Sequence, residues 1–278
     1  MNHSVSSSLI AIVPAAGIGS RMGASESGSP IPKQYLTIAS SGGLKSSVES
    51  GGSDAPITII AATLELLAAN TEIKTIIVAL HKNDIWFNKL SFSQRAQEKI
   101  VPVEGGATRF DSVRHGVAYV KNHIASVTGE ENNKNPLILV HDAARPCVSV
   151  GKLNQLIQLA QSEHCAVILA AKVSDTVKHQ RIDSRGQKRH CTVSRDPLWL
   201  AHTPQIAPLD WLYDAFEFAL SKAYEVTDES SALEYYASQY GSERMPIIIE
   251  DTHSNIKITS RADLDLARAI YANCHELN

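Results

Sequence analysis

Apolar residues in this chain fall into short continuous runs, separated by longer stretches where they recur at helical spacing. Leu9 to Val13, Lys74 to Leu80, Pro136 to Val140 and Cys165 to Ala170 read as buried strands, with Lys99 to Val103 a shorter one. Between them, Ile60, Leu64, Leu67 and Ala68 share one helical face, as do Phe110, Val113, Val117 and Val120, and then Leu153, Leu156, Ile157 and Ala160. Strands alternating with helices predict parallel pairing through crossovers, hence an α/β fold. After residue 172 the pattern changes. Val173 to Lys178 and His190 to Arg195 alternate weakly around Asp183-Ser184-Arg185-Gly186, which predicts a hairpin arm leaving the main sheet. The chain returns through Leu198 to Gln205, and Pro208 to Leu220 reads as a helix. A further helix spans Asp228 to Tyr240 with Thr227 as its N-cap. Pro246 to Glu250 and Asn255 to Ile258 read as short strands. Ser260 caps a last helix with the apolar stripe Leu264, Ala267, Ile270 and Tyr271.

Composition narrows the class. With 278 residues, 44% hydrophobic and 20% charged, the chain can bury a full core. We expect a flexible leader at 1–8 and a single domain over 9–278, with the arm at about 172–204. A Ser/Gly-rich tract at about 39–54 reads as a surface insertion. The net charge of -3 offers no basic field for nucleic acid, so any phosphate affinity must come from a local cluster of cations. The four cysteines are scattered without a C-x-x-C spacing, which argues against a zinc site and a disulfide framework, and the histidines fit no metal-ligand spacing. No apolar run reaches the roughly 18 residues of a membrane span, and residues 1–8 lack the basic and apolar regions of a signal peptide. A cytoplasmic location is expected.

The candidate chemistry begins where the first strand ends. Pro14-Ala15-Ala16-Gly17-Ile18-Gly19-Ser20-Arg21-Met22 is a loop of small residues that delivers a cation, and Pro32-Lys33-Gln34-Tyr35 delivers another. Small residues let backbone N–H groups approach a polyphosphate, and cations neutralise charge developing during phosphoryl transfer. This is not the dinucleotide fingerprint, because Met22 stands where its third glycine belongs, and no Walker A spacing occurs. Glu104-Gly105-Gly106-Ala107-Thr108-Arg109 is a turn into a helix capped by Thr108. Asp111 and Ser112 in its first turn either hold polar ligand groups or belong to an ordinary capped helix. The fourth strand ends in His141-Asp142-Ala143-Ala144-Arg145-Pro146, beyond the carboxyl end of the sheet where ligands collect. Asp142 is there the candidate ligand for Mg²⁺, a hard cation suited to one carboxylate and phosphate oxygens. The alternative is a local ion pair with Arg145, and His141 reads as a packing residue.

Taken in order, these motifs resemble the 2-C-methyl-D-erythritol 4-phosphate cytidylyltransferase family, from Leu9 to about Ala272. Asp175-Thr176-Val177-Lys178, Arg195 through Thr203-Pro204-Gln205, Thr227-Asp228-Glu229 and Asn255-Ile256-Lys257-Ile258-Thr259 complete the set. The resemblance implies a Rossmann-like nucleotidyltransferase fold: a mostly parallel twisted sheet, helices on both faces and a protruding β-hairpin arm that joins a homodimer. It implies the reaction of CTP with methylerythritol phosphate to give the CDP-alcohol and pyrophosphate, with Mg²⁺ as cofactor. Arg21 and Lys33 would be the catalytic cations. Ala15, Ala16, Gly17, Gly19, Gly105, Asp111 and Ser112 would form the CTP site, and Asp142 would bind the metal. Arg145, Thr227 and Lys257 would hold the sugar phosphate, with Thr176 and Arg195 reaching over from the partner's arm. The rivals are a transferase acting on ribitol 5-phosphate and a silent nucleotide binder, which would have no need of transition-state cations.

Overall fold

A computed structural model of the chain describes residues 8–17, 31–39, 56–128 and 135–276. At its centre lies β1 (Leu9–Ala15), flanked in parallel register by β4 (Ile73–Leu80) and β6 (Leu137–Val140). Successive strand residues point to opposite faces, and here both sets are apolar. Leu9, Ala11 and Val13 enter one core, and Ile10 and Ile12 enter another. A strand buried on both faces suits a sheet covered by helices on each side.

The first core is closed by α1 (Ile59–Ala69), α2 (Gln94–Lys99) and α5 (Val150–Glu163). The second is closed by α3 (Arg109–Asn122), α4 (Ile124–Thr128), α6 (Leu209–Ser221) and α7 (Glu229–Tyr240). A last helix, α8 (Arg261–Glu276), lays Leu264, Ala267 and Tyr271 against Ile38 and Ile59. Each fully buried Leu or Ile contributes about 2 kcal/mol, so the two layers together hold the sheet edge to edge.

Among the described residues the sheet has seven strands. Outward from β1 on one side lie β4 and β5 (Ile100–Glu104). On the other lie β6, β10 (Trp199–Pro208), β7 (Val167–Lys172) and β11 (Ile247–Glu250). Six strands run one way, and β10 alone runs against both neighbours. The reason is topological: the chain leaves β7 into the arm and returns at the same end of the sheet, with no crossover helix to reverse it. The arm pairs β8 (Val177–Ile182) with β9 (Lys188–Val193) in antiparallel register. Asp183 closes its turn by accepting N–H bonds from Arg185 and Gln187, and Gly186 takes the left-handed conformation there.

Several sequence expectations need correction. Lys99 ends α2 and does not begin β5. The N-cap of α7 is Asp228, not Thr227: its carboxylate accepts from Ser231 N, and Ser231 Oγ accepts from the Asp228 N–H in return. Asn255 to Ile258 is not a strand but an irregular segment; it is held by Arg145 donating to the Asn255 carbonyl and Ile258 N donating to Ala144. The Ser/Gly tract lies almost entirely outside the described residues, but its ends are stapled by β2 (Thr37–Ala39) and β3 (Ile57–Thr58), which pair antiparallel. Ser8, placed in the leader by sequence, is buried, and its carbonyl accepts from Leu137.

Candidate active site

Five chain segments converge on a cleft at the carboxyl ends of β1, β5 and β6. The first is the small-residue turn after β1: Pro14, Ala15, Ala16 and Gly17 line the cleft wall. Gly105 packs so closely beneath it that a Cβ there would stand 2.6 Å from the Ala16 Cβ. Gly106, Ala107 and Thr108 form the opposite wall. Thr108 caps α3, and the Asp111 carboxylate turns back to accept from Thr108 N and Oγ1, completing a capping box. Ser112 Oγ accepts from Gly106 N at 3.1 Å and donates to Thr108 O at 2.9 Å, which binds the glycine turn to the helix.

The floor is Asp142. Its Oδ1 accepts from Arg109 Nε at 2.7 Å, its Oδ2 pairs with Lys257 Nζ at 2.7 Å, and Arg145 Nε stands 3.8 Å away. Arg109 also makes a bidentate pair with Glu229, at 2.8 and 3.0 Å. Burial disfavours the charge on Asp142, but Arg109 and Lys257 outweigh it and hold the carboxyl well below the usual carboxylate range. Arg109 is likewise opposed by burial, but its two carboxylates outweigh that and fix it as a cation. Beneath them lies His141, fully buried. Its Nε2 faces the Arg145 carbonyl at 3.0 Å, which can only accept, so Nε2 carries the proton. Nδ1 then accepts from the Thr203 hydroxyl at 3.1 Å, and Thr203 Oγ1 in turn accepts the Asp142 N–H. Burial pushes the imidazole down to about 4, so it is neutral near pH 7. His141 is a packing and hydrogen-bonding residue, as its sequence context suggested.

Lys33 and Gln34 complete the rim. Lys33 Nζ donates to Ile258 O at 3.0 Å, and Gln34 Nε2 donates to Ala15 O at 2.9 Å. Arg109, Arg145 and Lys257 therefore face Asp142, Arg109 also holds Glu229, and Lys33 stands on the rim, an arrangement suited to anions. Among the described residues, no side chain lining it is a histidine or cysteine. Among the described residues no cluster of three or more His, Cys, Asp or Glu could hold a metal.

Of the residues singled out from sequence, the structure brings Ala15, Ala16, Gly17, Lys33, Ser112, Asp142 and Lys257 to this cleft. Gly105 and Arg145 support it from below. Asp111 caps α3 through its Oδ2 and is not among the residues lining the cleft. Thr176 and Arg195 lie on the arm, where Arg195 donates to the Ser174 carbonyl, and Thr227 is exposed at the head of α7. Gly19 and Arg21 lie outside the described residues. Sequence reasoning gave no role to Arg109, Glu229 or Gln34. Arg109 had a signal, as a cation directly after a glycine turn; Glu229 had none, since its partner is 120 residues away.

A family model described as IspD, 2-C-methyl-D-erythritol 4-phosphate cytidylyltransferase, matches residues 9–273. A protein of that name from Photorhabdus laumondii is 40% identical over 267 residues, covering 94% of each chain. One from Shewanella frigidimarina is 40% identical over 260 residues, again 94% of each. The crystal structure of the Francisella tularensis enzyme superposes with a TM-score of 0.68 at 33% identity, covering 95% of this chain and all of the other. With the model spanning nearly its whole length, this chain belongs to the 2-C-methyl-D-erythritol 4-phosphate cytidylyltransferase family.

Proposed function

We propose that the cleft joins CTP to 2-C-methyl-D-erythritol 4-phosphate, giving 4-diphosphocytidyl-2-C-methyl-D-erythritol and pyrophosphate. The observation that supports this most is the charge arrangement at the cleft: Arg109, Arg145 and Lys257 around Asp142, with Lys33 on the rim, at the mouth of backbone turns made of Ala and Gly. The reaction brings one phosphate onto the α-phosphate of another substrate, so two anions must meet. Cations meet that need. A nucleophilic side chain is not required, since the acceptor phosphate is the nucleophile, and positioning with charge stabilisation supplies the catalysis. Lys33, with Arg21, stabilises charge on the transferred phosphorus; Ala15 to Gly17, Gly19, Gly105 and Ser112 receive the nucleotide, with Asp111 holding the turn. Lys257, Arg145 and Thr227 serve the acceptor phosphate.

Asp142 suits Mg²⁺ as a single ionised carboxylate, the substrates' phosphate oxygens supplying the remaining ligands. Both of its oxygens are engaged by side-chain cations, and Lys257, 38% exposed, is the one free to swing away. When bound, the metal neutralises charge on the departing pyrophosphate. The arm supports a homodimer: Ile182 at its tip is 71% exposed, and Leu198, Trp199 and Leu200 leave apolar surface at its root. Thr176 and Arg195 then act in the partner's cleft. The reaction belongs to the non-mevalonate route to isoprenoids and takes place in the cytoplasm.

The test is pyrophosphate release from CTP with Mg²⁺, compared for methylerythritol 4-phosphate, ribitol 5-phosphate and no acceptor. Release with the first alone is expected. Release only with ribitol phosphate would keep the mechanism and overturn the acceptor. No release with either, in protein that binds CTP, would overturn the catalytic reading.

A further inference from the structure

Lys33 opens a single 3-10 turn, Lys33–Tyr35, and the physics of that turn has a consequence for its ammonium. With about three residues per turn, consecutive side chains leave the axis roughly 120° apart. The three side chains therefore point in three directions. Gln34 is committed to β1 through its bond to Ala15 O at 2.9 Å. Tyr35 is committed to the loop after β4: its buried hydroxyl donates to Asp84 Oδ2 at 2.6 Å. Lys33 takes the direction that remains, along the cleft rim, where its ammonium donates to Ile258 O at 3.0 Å.

Asp84 is a fixed point. Its other oxygen accepts from Trp86 N at 2.9 Å and Phe87 N at 2.8 Å, so the carboxylate cannot follow Tyr35 if the turn rotates. Phe87 is itself buried in the core that receives the Tyr35 ring. Burial, reinforced by Asp84, raises the Tyr35 phenol above its ordinary range and keeps it a proton donor. Packing alone would accept a phenylalanine at 35. The hydroxyl adds a directional bond, and direction is what a charge-stabilising group needs.

We infer that Tyr35 and Asp84 are positioning residues, a latch that sets the rotation of the Lys33–Tyr35 turn and so aims the Lys33 ammonium at the reacting phosphates. This rests on the catalytic role proposed for Lys33.

The test is a double-mutant cycle in kcat, read alongside thermal melting and the KM for CTP. Tyr35→Phe keeps the ring and is expected to lower kcat about tenfold, with KM for CTP within about twofold and melting nearly unchanged. Asp84→Ala should lower kcat at least as far. In a Lys33→Ala background, Tyr35→Phe should cost nothing further, because the group it aims is gone. Unchanged kcat in Tyr35→Phe overturns the latch. So does an equal loss in both backgrounds, which would make Tyr35 independent of Lys33. If Lys33→Ala itself keeps normal turnover, the role of Lys33 falls first and the latch with it.

Discussion

Replacing Asp142 with asparagine keeps the side chain's shape and removes one negative charge from the floor of the cleft. The native carboxylate is 8% exposed and meets Arg109 and Lys257 at 2.7 Å each, with Arg145 at 3.8 Å. Breaking a buried charge pair by deleting one partner costs about 3–5 kcal/mol. Two features pull this case to the lower end. Lys257 is 38% exposed and can rehydrate, and Arg109 keeps both of its bonds to Glu229. About 3 kcal/mol is therefore expected, and in a domain of this size that lowers Tm by about 6–12 °C. The pH dependence has a definite sign. Although burial opposes ionisation, Arg109 and Lys257 depress the folded-state pKa below the unfolded value. The stabilisation is thus complete above roughly pH 4 and lost only as pH falls further. Calorimetric melts of both proteins should show a constant gap between pH 8 and 6, closing only in acid. Turnover measured by pyrophosphate release should fall about a hundredfold, the cost of losing one charge-stabilising group. A variant melting within about 2 °C of the parent at pH 7 would refute the counter-ion role, as would a gap that already narrows between pH 8 and 6.

Other expectations follow from the same geometry. If sites are shared across a dimer, mixing Arg21→Ala chains with Arg195→Ala chains restores one intact cleft per heterodimer; with about half of the dimers mixed, activity should return to about a quarter of the parent level. No recovery would put Arg195 in its own chain's site. His141, held down at about 4 by burial, resists protonation while the unfolded chain takes a proton near pH 6.5. Stability should then fall by about 3 kcal/mol as pH drops from roughly 6.5 to 4, and urea titrations should show a shallower fall in His141→Gln. Glu229→Gln, which removes one of the two carboxylates holding Arg109, should raise the KM for substrate in initial-rate assays and lower the melting temperature, and an unchanged KM would separate this pair from binding.

How much of this could be read from residue order depends on how far apart the cause and the effect lie. The central strands were legible because Leu9 to Val13 and Ile76 to Leu80 are apolar on both faces, a property of neighbouring residues. The Thr108 cap and the Asp183 turn were legible for the same reason. Asn255 to Ile258 misled because Ile256 and Ile258 alternate like a strand, while Arg145 and Ala144, more than a hundred residues earlier, hold that backbone. Thr227 and Asp228 are both good caps; Ser231 Oγ accepts from the N–H of each, and the bond from Ser231 N to the Asp228 carboxylate chooses between them. Arg109 shows the limit most clearly. Its helix position is local, but its chemistry comes from Asp142 and Glu229, brought to it by the sheet and by α7.

The antiparallel course of β10 also has a consequence for the cleft. Its residue Thr203 bonds both Asp142 N and His141, while its residue His202 bonds Asp251 at 2.9 Å. Asp251 is bonded in turn by Asn255, whose carbonyl accepts from Arg145. The strand that anchors the arm is thus tied by buried hydrogen bonds to the carboxylate at the cleft floor and to the segment that carries Lys257. Burial opposes the charge on Asp251, but bonds from His202, Asn255 and Thr252 N outweigh it and hold its carboxyl below the usual carboxylate range. Shifting β10 against β6 would leave several of these groups buried without partners, at about 1–3 kcal/mol each. The arm's root and the cleft floor are therefore joined by one buried hydrogen-bond network, so whatever seats the arm also bears on the position of Asp142 and Lys257.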